Sequence, residues 1–265
     1  MVIDVHHHLP ADWQPYVARL RAEGARLGLD RVVVCSSGTP GQATSEHLAA
    51  AVEANPGFLL GLAYVPLGEE GVAEVDRARE LGLQGLKVIR PRMRYDDDAA
   101  MEVYSRAALY GMPVLFHLGI VARSPYDAGM DVSMARMRPV YLDRIARRFP
   151  QLCILGAHFG NPWYEEAAEL ARMHPNVYFD LTGSTLKKKR PEYFQELLWW
   201  AEDEQYGRMG GKTPWQKLLF GTDVGPELME DVKRDYQALM DGLGLAEAER
   251  AMIWGGTAAA IFGLG

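Results

Sequence analysis

The residues able to do chemistry stand late in short apolar runs. "MVIDVHHH" carries His6, His7 and His8, "LFHLG" carries His117, "GAHFG" carries His158 and "FGTDVG" carries Asp223. Side chains alternate across a strand, so His6 and His8 share a face while His7 points the other way. Two imidazoles two residues apart on one face can reach a single cation. Taken alone, the stretch also reads as a tag remnant, or as one buried histidine with accidental neighbours. Each of the other residues alone reads as a satisfied core histidine or a capping aspartate. Five at equivalent positions on four runs need a shared partner, because buried polar groups must be satisfied. Imidazole and carboxylate together suit Zn²⁺ and its neighbours.

The elements that must position them are legible. The runs "MVIDVHHH", "RVVVCSS", "FLLGLAYV", "GLKVIR", "PVLFHLG", "CILGAHFG", "NVYFDLTG" and "KLLFGTDVG" are near-continuous in apolar residues, as strands covered on both faces should be. Amphipathic stretches lie between them, from "PADWQPYVARLRAEGARLG" to "PEYFQELLWWAEDE". Several end in Gly or Asn-Pro, ordinary helix stops. This alternation predicts one α/β domain over residues 1–265, a closed (β/α)₈ TIM barrel, and the length fits the ~250 residues typical of that fold. A doubly wound sheet is the alternative, but no glycine-rich phosphate loop follows the first run. In a barrel the C-terminal strand ends build the active site, which is where the five residues fall.

Composition narrows the partners. The 265 residues are 48% hydrophobic and 24% charged, enough for a sizeable core. A net charge of −7 argues against nucleic acid. No apolar run approaches the roughly 20 residues needed to cross a bilayer. No basic region leads into an apolar one at the start, so no secretory signal is expected. Cys35 and Cys153 lie inside apolar stretches and read as reduced, buried thiols of a cytoplasmic protein. The charge run "LKKKRPE", 186–192, reads as a solvated loop opening a helix, with a mobile cover over an anionic substrate as the functional alternative.

His-x-His on the first strand, His on the fifth and sixth and Asp on the eighth together resemble the amidohydrolase superfamily. The first motif and the ending "IWGGTAAAIFGLG" are similar, more narrowly, to its amidohydrolase-2 branch, which includes aminocarboxymuconate-semialdehyde decarboxylase and pyrone-dicarboxylate lactonase. The likeness spans nearly the whole chain, with Thr257 standing where members commonly have Asn. The resemblance implies that His6, His8, His117 and Asp223 bind one divalent metal, Zn²⁺ first and Mn²⁺ in its place. It implies that His158 touches the bound water or the substrate carbonyl, and it removes the tag reading. A metal lowers the pKa of its water from 15.7 to about 7. Asp223 then serves as catalytic base and His158 as catalytic electrophile or oxyanion donor.

Lys87, in "GLKVIR", is where binuclear relatives carry a carboxylated lysine bridging two metals. Mononuclear members also have "GLK", and one metal is the expectation. Arg90, Arg92 and Arg94 follow on the catalytic face. A guanidinium fork suits a carboxylate, so Arg90 and Arg92 are candidate substrate-binding residues, with surface pairing to Asp96, Asp97 and Asp98 as the alternative. Arg123 is comparable, while Trp13 and Tyr64 read first as packing, with pocket lining as the alternative. The expected function is metal-dependent hydrolysis of a small carboxylated ester, lactone or amide. The alternative is non-oxidative decarboxylation on the same metal, and a non-catalytic metal-binding barrel is more remote, since structural zinc sites are closed tetrahedra without a spare histidine. The expected partner is a small molecule, with neither nucleic acid nor membrane, and a homo-oligomer is left open.

Overall fold

The computed structural model describes residues 1–199 and 213–264. Its strands are β1 (Ile3–His8), β2 (Arg31–Cys35), β3 (Leu59–Tyr64), β4 (Gly85–Val88), β5 (Val114–Phe116), β6 (Ile154–Gly156), β7 (Val177–Asp180) and β8 (Leu218–Leu219). They form one parallel sheet in sequence order. The Val5 N–H donates to the Phe220 carbonyl (3.0 Å) and the Asp223 N–H to the His6 carbonyl (2.7 Å), drawing the first strand to the last. The result is the nearly closed TIM barrel that the sequence predicts.

Period-two alternation divides each strand between two cores. Val33, Leu60, Leu62, Leu115 and Leu155 fill the barrel, and the C-terminal helix Thr257–Phe262 plugs its floor. Val32, Val34, Leu86, Val114 and Phe179 face outward under the helices. Both faces are therefore dry, which is why the runs read as continuously apolar. The strands end sooner than the apolar runs do. In "PVLFHLG" the ladder stops at Phe116 and in "CILGAHFG" at Gly156, so His117 and His158 stand just past the last paired residue.

Helices Trp13–Leu27, Ser45–Ala54, Glu69–Glu80, Met101–Leu109, Leu142–Arg148, Tyr164–Met173, Pro191–Leu197 and Met229–Gly242 return the chain between strands and after β8. The first ends at Gly28, whose φ of 69° suits a residue without Cβ. The helix expected over "PEYFQELLWWAEDE" runs from Pro191 to Leu197 with Leu198 as its cap, and residues 200–204 of that stretch lie outside the described residues. The lysine run is tied to the scaffold as a surface segment. Lys187 pairs with Asp235 at 2.8 Å, Lys188 donates to Asn161, and Lys189 stands 4.1 Å over the Tyr193 ring. No described helix is long and apolar enough to cross a membrane.

Candidate metal centre

A β-bulge sets the site's first element. Between Asp4 and His7, β1 carries one residue more than β2, which shifts the inward phase. Val5 and His6 therefore both face the barrel interior, followed by His8, while Asp4 and His7 turn outward together. Asp4 accepts from the Thr222 N–H (2.9 Å) and hydroxyl (2.5 Å), and His7 contacts Thr222 (3.1 Å) and the Tyr16 hydroxyl (2.8 Å). Nε2 of His6 and Nε2 of His8 lie 3.5 and 3.4 Å from Oδ1 of Asp223. Donors about 2.0–2.1 Å from a tetrahedral cation are about 3.4 Å apart, so each imidazole stands from Asp223 at the separation that a shared ion requires.

The fifth and sixth strands supply the opposite wall. His117 sets its Nδ1 3.1 Å from Nε2 of His158, which is 3.8 Å from Oδ2 of Asp223. All five residues expected from the sequence thus converge. Lys87, fully buried on β4, donates from Nζ to Nε2 of His6 at 2.9 Å. It stands at the ligand edge of that ring.

A cavity of about 660 Å³ opens over the cluster, lined by His8, Arg90, His117, Arg123, His158 and Asp223 among others. Arg90 adopts a left-handed φ of 51° where β4 gives way to its loop. Its Nε and Nη1 are buried without a hydrogen-bond partner among the described residues, and burial lowers its pKa against the opposing charge of Asp127. Arg92 lines a neighbouring cavity of about 640 Å³, together with Tyr64 and with Arg90 itself. Arg94 pairs with Asp96 and Asp97 at the surface (3.4 and 3.2 Å). Trp13 packs on the core as expected, whereas Tyr64 lines space as well as packing.

The sequence profile of the amidohydrolase-2 family, described as amidohydrolase, matches residues 3–264. The chain belongs to that family. Curated proteins yield no sequence match. Among solved structures, this amidohydrolase is similar to an uncharacterized TIM-barrel protein from Bordetella bronchiseptica (19% identity, TM-score 0.71, covering 99% of this chain and 98% of that one). It is also similar to 2,6-dihydroxybenzoate decarboxylase from Rhizobium (16%, 0.66, 99% and 98%). A third is dihydroxybenzoic acid decarboxylase from Polaromonas sp. JS666, with bound manganese and the inhibitor 2-nitroresorcinol (17%, 0.66, 99% and 97%).

The amidohydrolase's own atoms fit a divalent metal. His117 donates from Nε2 to the Ile120 carbonyl (3.2 Å), leaving the Nδ1 lone pair facing His158. The Thr182 hydroxyl donates to Asp180 (2.5 Å), so it accepts from Nδ1 of His158 (2.7 Å), leaving the Nε2 lone pair facing His117. Two lone pairs 3.1 Å apart repel unless a proton or a cation lies between or beside them. Burial first, with His158 and Lys87 adding to it, holds the His117 pKa well below the ordinary range. Burial holds that of His158 at about 4 against the pull of Asp223 and Asp180. Both rings therefore stay neutral and able to ligate at neutral pH. Burial alone would raise the Asp223 pKa, but His6, His158 and His8 bring it below the usual carboxylate range. This is a metal-dependent amidohydrolase-2 enzyme.

Two site residues escaped the sequence reading. Asp180, the last residue of β7, accepts from Nδ1 of His6 (3.0 Å) and from the backbone N–H groups of His158 (2.9 Å) and Thr182 (3.0 Å). It fixes the His6 tautomer with the proton on Nδ1, leaving Nε2 as the acceptor that Lys87 meets, the arrangement that carboxylates behind metal-binding histidines impose. Its signal was present: a carboxylate late in "NVYFDLTG", at the height of His117 and His158. The second is Cys35, a fully buried free thiol at the end of β2 beside His8. Burial would raise its pKa, yet the His8 and His6 rings and Lys87 bring it down to about 5. Cys153 lies just ahead of β6, away from the cluster.

Proposed function

We propose that this amidohydrolase is a non-oxidative decarboxylase of a small aromatic acid, with His6, His8, His117 and Asp223 holding one divalent cation. The observation that carries the reading is Arg90: a guanidinium with two buried, unpartnered N–H groups in the same cavity as the histidines and Asp223. Such a group demands an anionic ligand. Support for the reaction comes from the Rhizobium and Polaromonas neighbours, both decarboxylases of dihydroxybenzoic acids. This reverses the order in which the sequence alone ranks hydrolysis and decarboxylation.

Arg90 holds an anionic oxygen of the substrate and fixes the ring. When bound, the cation supplies Lewis-acid polarisation of the substrate oxygens. Asp223, once protonated from water in the cavity, delivers that proton to the carbon bearing the carboxylate. The carbon–carbon bond then breaks, its electron pair stays with the ring, carbon dioxide leaves, and Asp223 is again ionised. His158, fixed by Thr182, stabilises charge on the facing substrate oxygen. Hydrolysis is the second reading, favoured by one observation: the histidines keep Asp223 ionised and ready to act as a base.

The test offers the Zn²⁺- or Mn²⁺-loaded protein 2,6-dihydroxybenzoate and matched neutral and carboxylated lactones in D₂O. Carbon dioxide release with deuterium at the vacated ring carbon is expected. Arg90→Met should raise KM by about 10- to 100-fold, the worth of a charged hydrogen bond. Lactone opening without carbon dioxide from the acid would replace the decarboxylase with a hydrolase.

A further inference from the structure

The geometry points to Cys35 as a sulfur ligand of the metal held by the β1 histidines, making the centre selective for a thiophilic cation. The inference rests on the metal-binding reading above. β2 ends at Cys35, which is paired in register with His8 and buried in the barrel interior. Its Sγ lies 3.9 Å from Nδ1 of His8. One ligand atom each from His6, His8 and Cys35 can be chosen so that all lie within 4.8 Å of one another. Around tetrahedral zinc, a sulfur at about 2.3 Å and a nitrogen at about 2.0–2.1 Å are about 3.6 Å apart, so the group closes with shifts of about an ångström.

His8 presents its two nitrogens to opposite neighbours, Nδ1 to the thiol and Nε2 to Asp223. Its side chain is 26% exposed whereas that of His6 is sealed. The ring with room to turn is therefore the one that must adjust to serve sulfur and carboxylate on a single ion.

The chemistry follows from donor softness. A centre of imidazole and carboxylate alone accommodates Mn²⁺, whereas a thiolate shifts preference toward Zn²⁺ and Co²⁺. On binding, the thiol proton passes to solvent and sulfur takes its place in the coordination sphere. Because β1 brings two nitrogens and β2 the sulfur, adjacent strands at the barrel mouth would supply three donors beside His117 and Asp223.

Co²⁺ exchange into the full-length protein tests this without any turnover. One equivalent of Co²⁺ should give a thiolate-to-cobalt charge-transfer band in the near ultraviolet. The band should be lost in Cys35→Ser and kept in Cys153→Ser. In competition, Cys35→Ser should lower the preference for Zn²⁺ over Mn²⁺ by about tenfold or more, the scale of effects at metal centres. The wild-type spectrum decides the matter even where Cys35→Ser fails to fold. One equivalent bound by wild type without the band overturns the sulfur ligand and leaves the metal centre standing. A wild-type band that persists in folded Cys35→Ser overturns it equally. Absence of any tight Co²⁺ or Zn²⁺ binding by wild type overturns the metal centre itself.

Discussion

Asp180→Asn isolates the part of the centre that touches no metal. The carboxylate accepts the His6 Nδ1 proton on Oδ2 at 3.0 Å, and its Oδ1 accepts the N–H groups of His158 and Thr182 and the Thr182 hydroxyl. An asparagine keeps the three Oδ1 bonds, but then its amide N–H₂ faces the His6 N–H. Moving the His6 proton to Nε2 relieves that conflict but costs the bond from Lys87 (2.9 Å) and the lone pair that faces Asp223. Outer-shell substitutions of this kind typically cost 10- to 100-fold in metal affinity. Losing a ligand's lone pair outright places this one at the upper end, about 100-fold or about 3 kcal/mol. The loss of one buried charge-assisted bond should lower stability by roughly 1–3 kcal/mol. Competition with a chromophoric chelator measures the affinity, thermal unfolding confirms the fold, and ¹⁵N chemical shifts of the ring report the tautomer. A folded variant with wild-type affinity would refute the argument at its root, for His6 would then not be held as a ligand by Asp180.

His158→Ala should retain one equivalent of metal, because His6, His8, His117 and Asp223 remain, while turnover falls by roughly 100- to 1,000-fold; metal loss measured by elemental analysis would move His158 among the ligands. Lys87→Met should also keep one equivalent, and a drop from two to one would make Lys87 a bridge instead. The metal-free protein should weaken as pH falls. His158 is held at about 4 by burial, below its ordinary 6.5, so the unfolded chain takes up the proton first. This contribution is complete above about 6.5 and is lost as pH drops toward 4, about 3 kcal/mol in all. The Tm of His158→Gln should fall less over that window, and parallel curves for the two proteins would contradict the assignment.

Both the barrel and the convergence of His6, His8, His117, His158 and Asp223 were legible because they rest on one pattern: polar residues at the ends of strands otherwise apolar on both faces. Asp180 obeys the same pattern, and only its lack of a neighbouring glycine or histidine made it inconspicuous. Cys35 was illegible for a different reason, since a thiol counts as apolar in any hydropathy pattern and only strand register places it beside His8. The β1 bulge was likewise beyond periodicity. Strict alternation puts Asp4, His6 and His8 on one face, whereas the extra residue sends Asp4 outward to Thr222. Arg90 reaches the cavity over the histidines while Arg92 lines only the neighbouring one, and Arg90 takes a left-handed φ, a difference that the spacing "VIRPR" does not encode.

The seam of the barrel runs through its chemistry. Asp4 bonds to Thr222 across 218 residues of sequence, and the Asp223 N–H is tied to the His6 carbonyl. The donors of β1 and those after β8 therefore meet only once every intervening strand is in place. Contacts of such sequence separation form late, because the loop they close is long. An ion that gathers both sides favours the closed ring alone, and its binding energy adds to closure by mass action. A cation held there would be a buckle as well as a reagent. A partly folded chain, with its last strand undocked, would neither hold the metal nor turn over substrate, so activity in this protein certifies that the ring has closed.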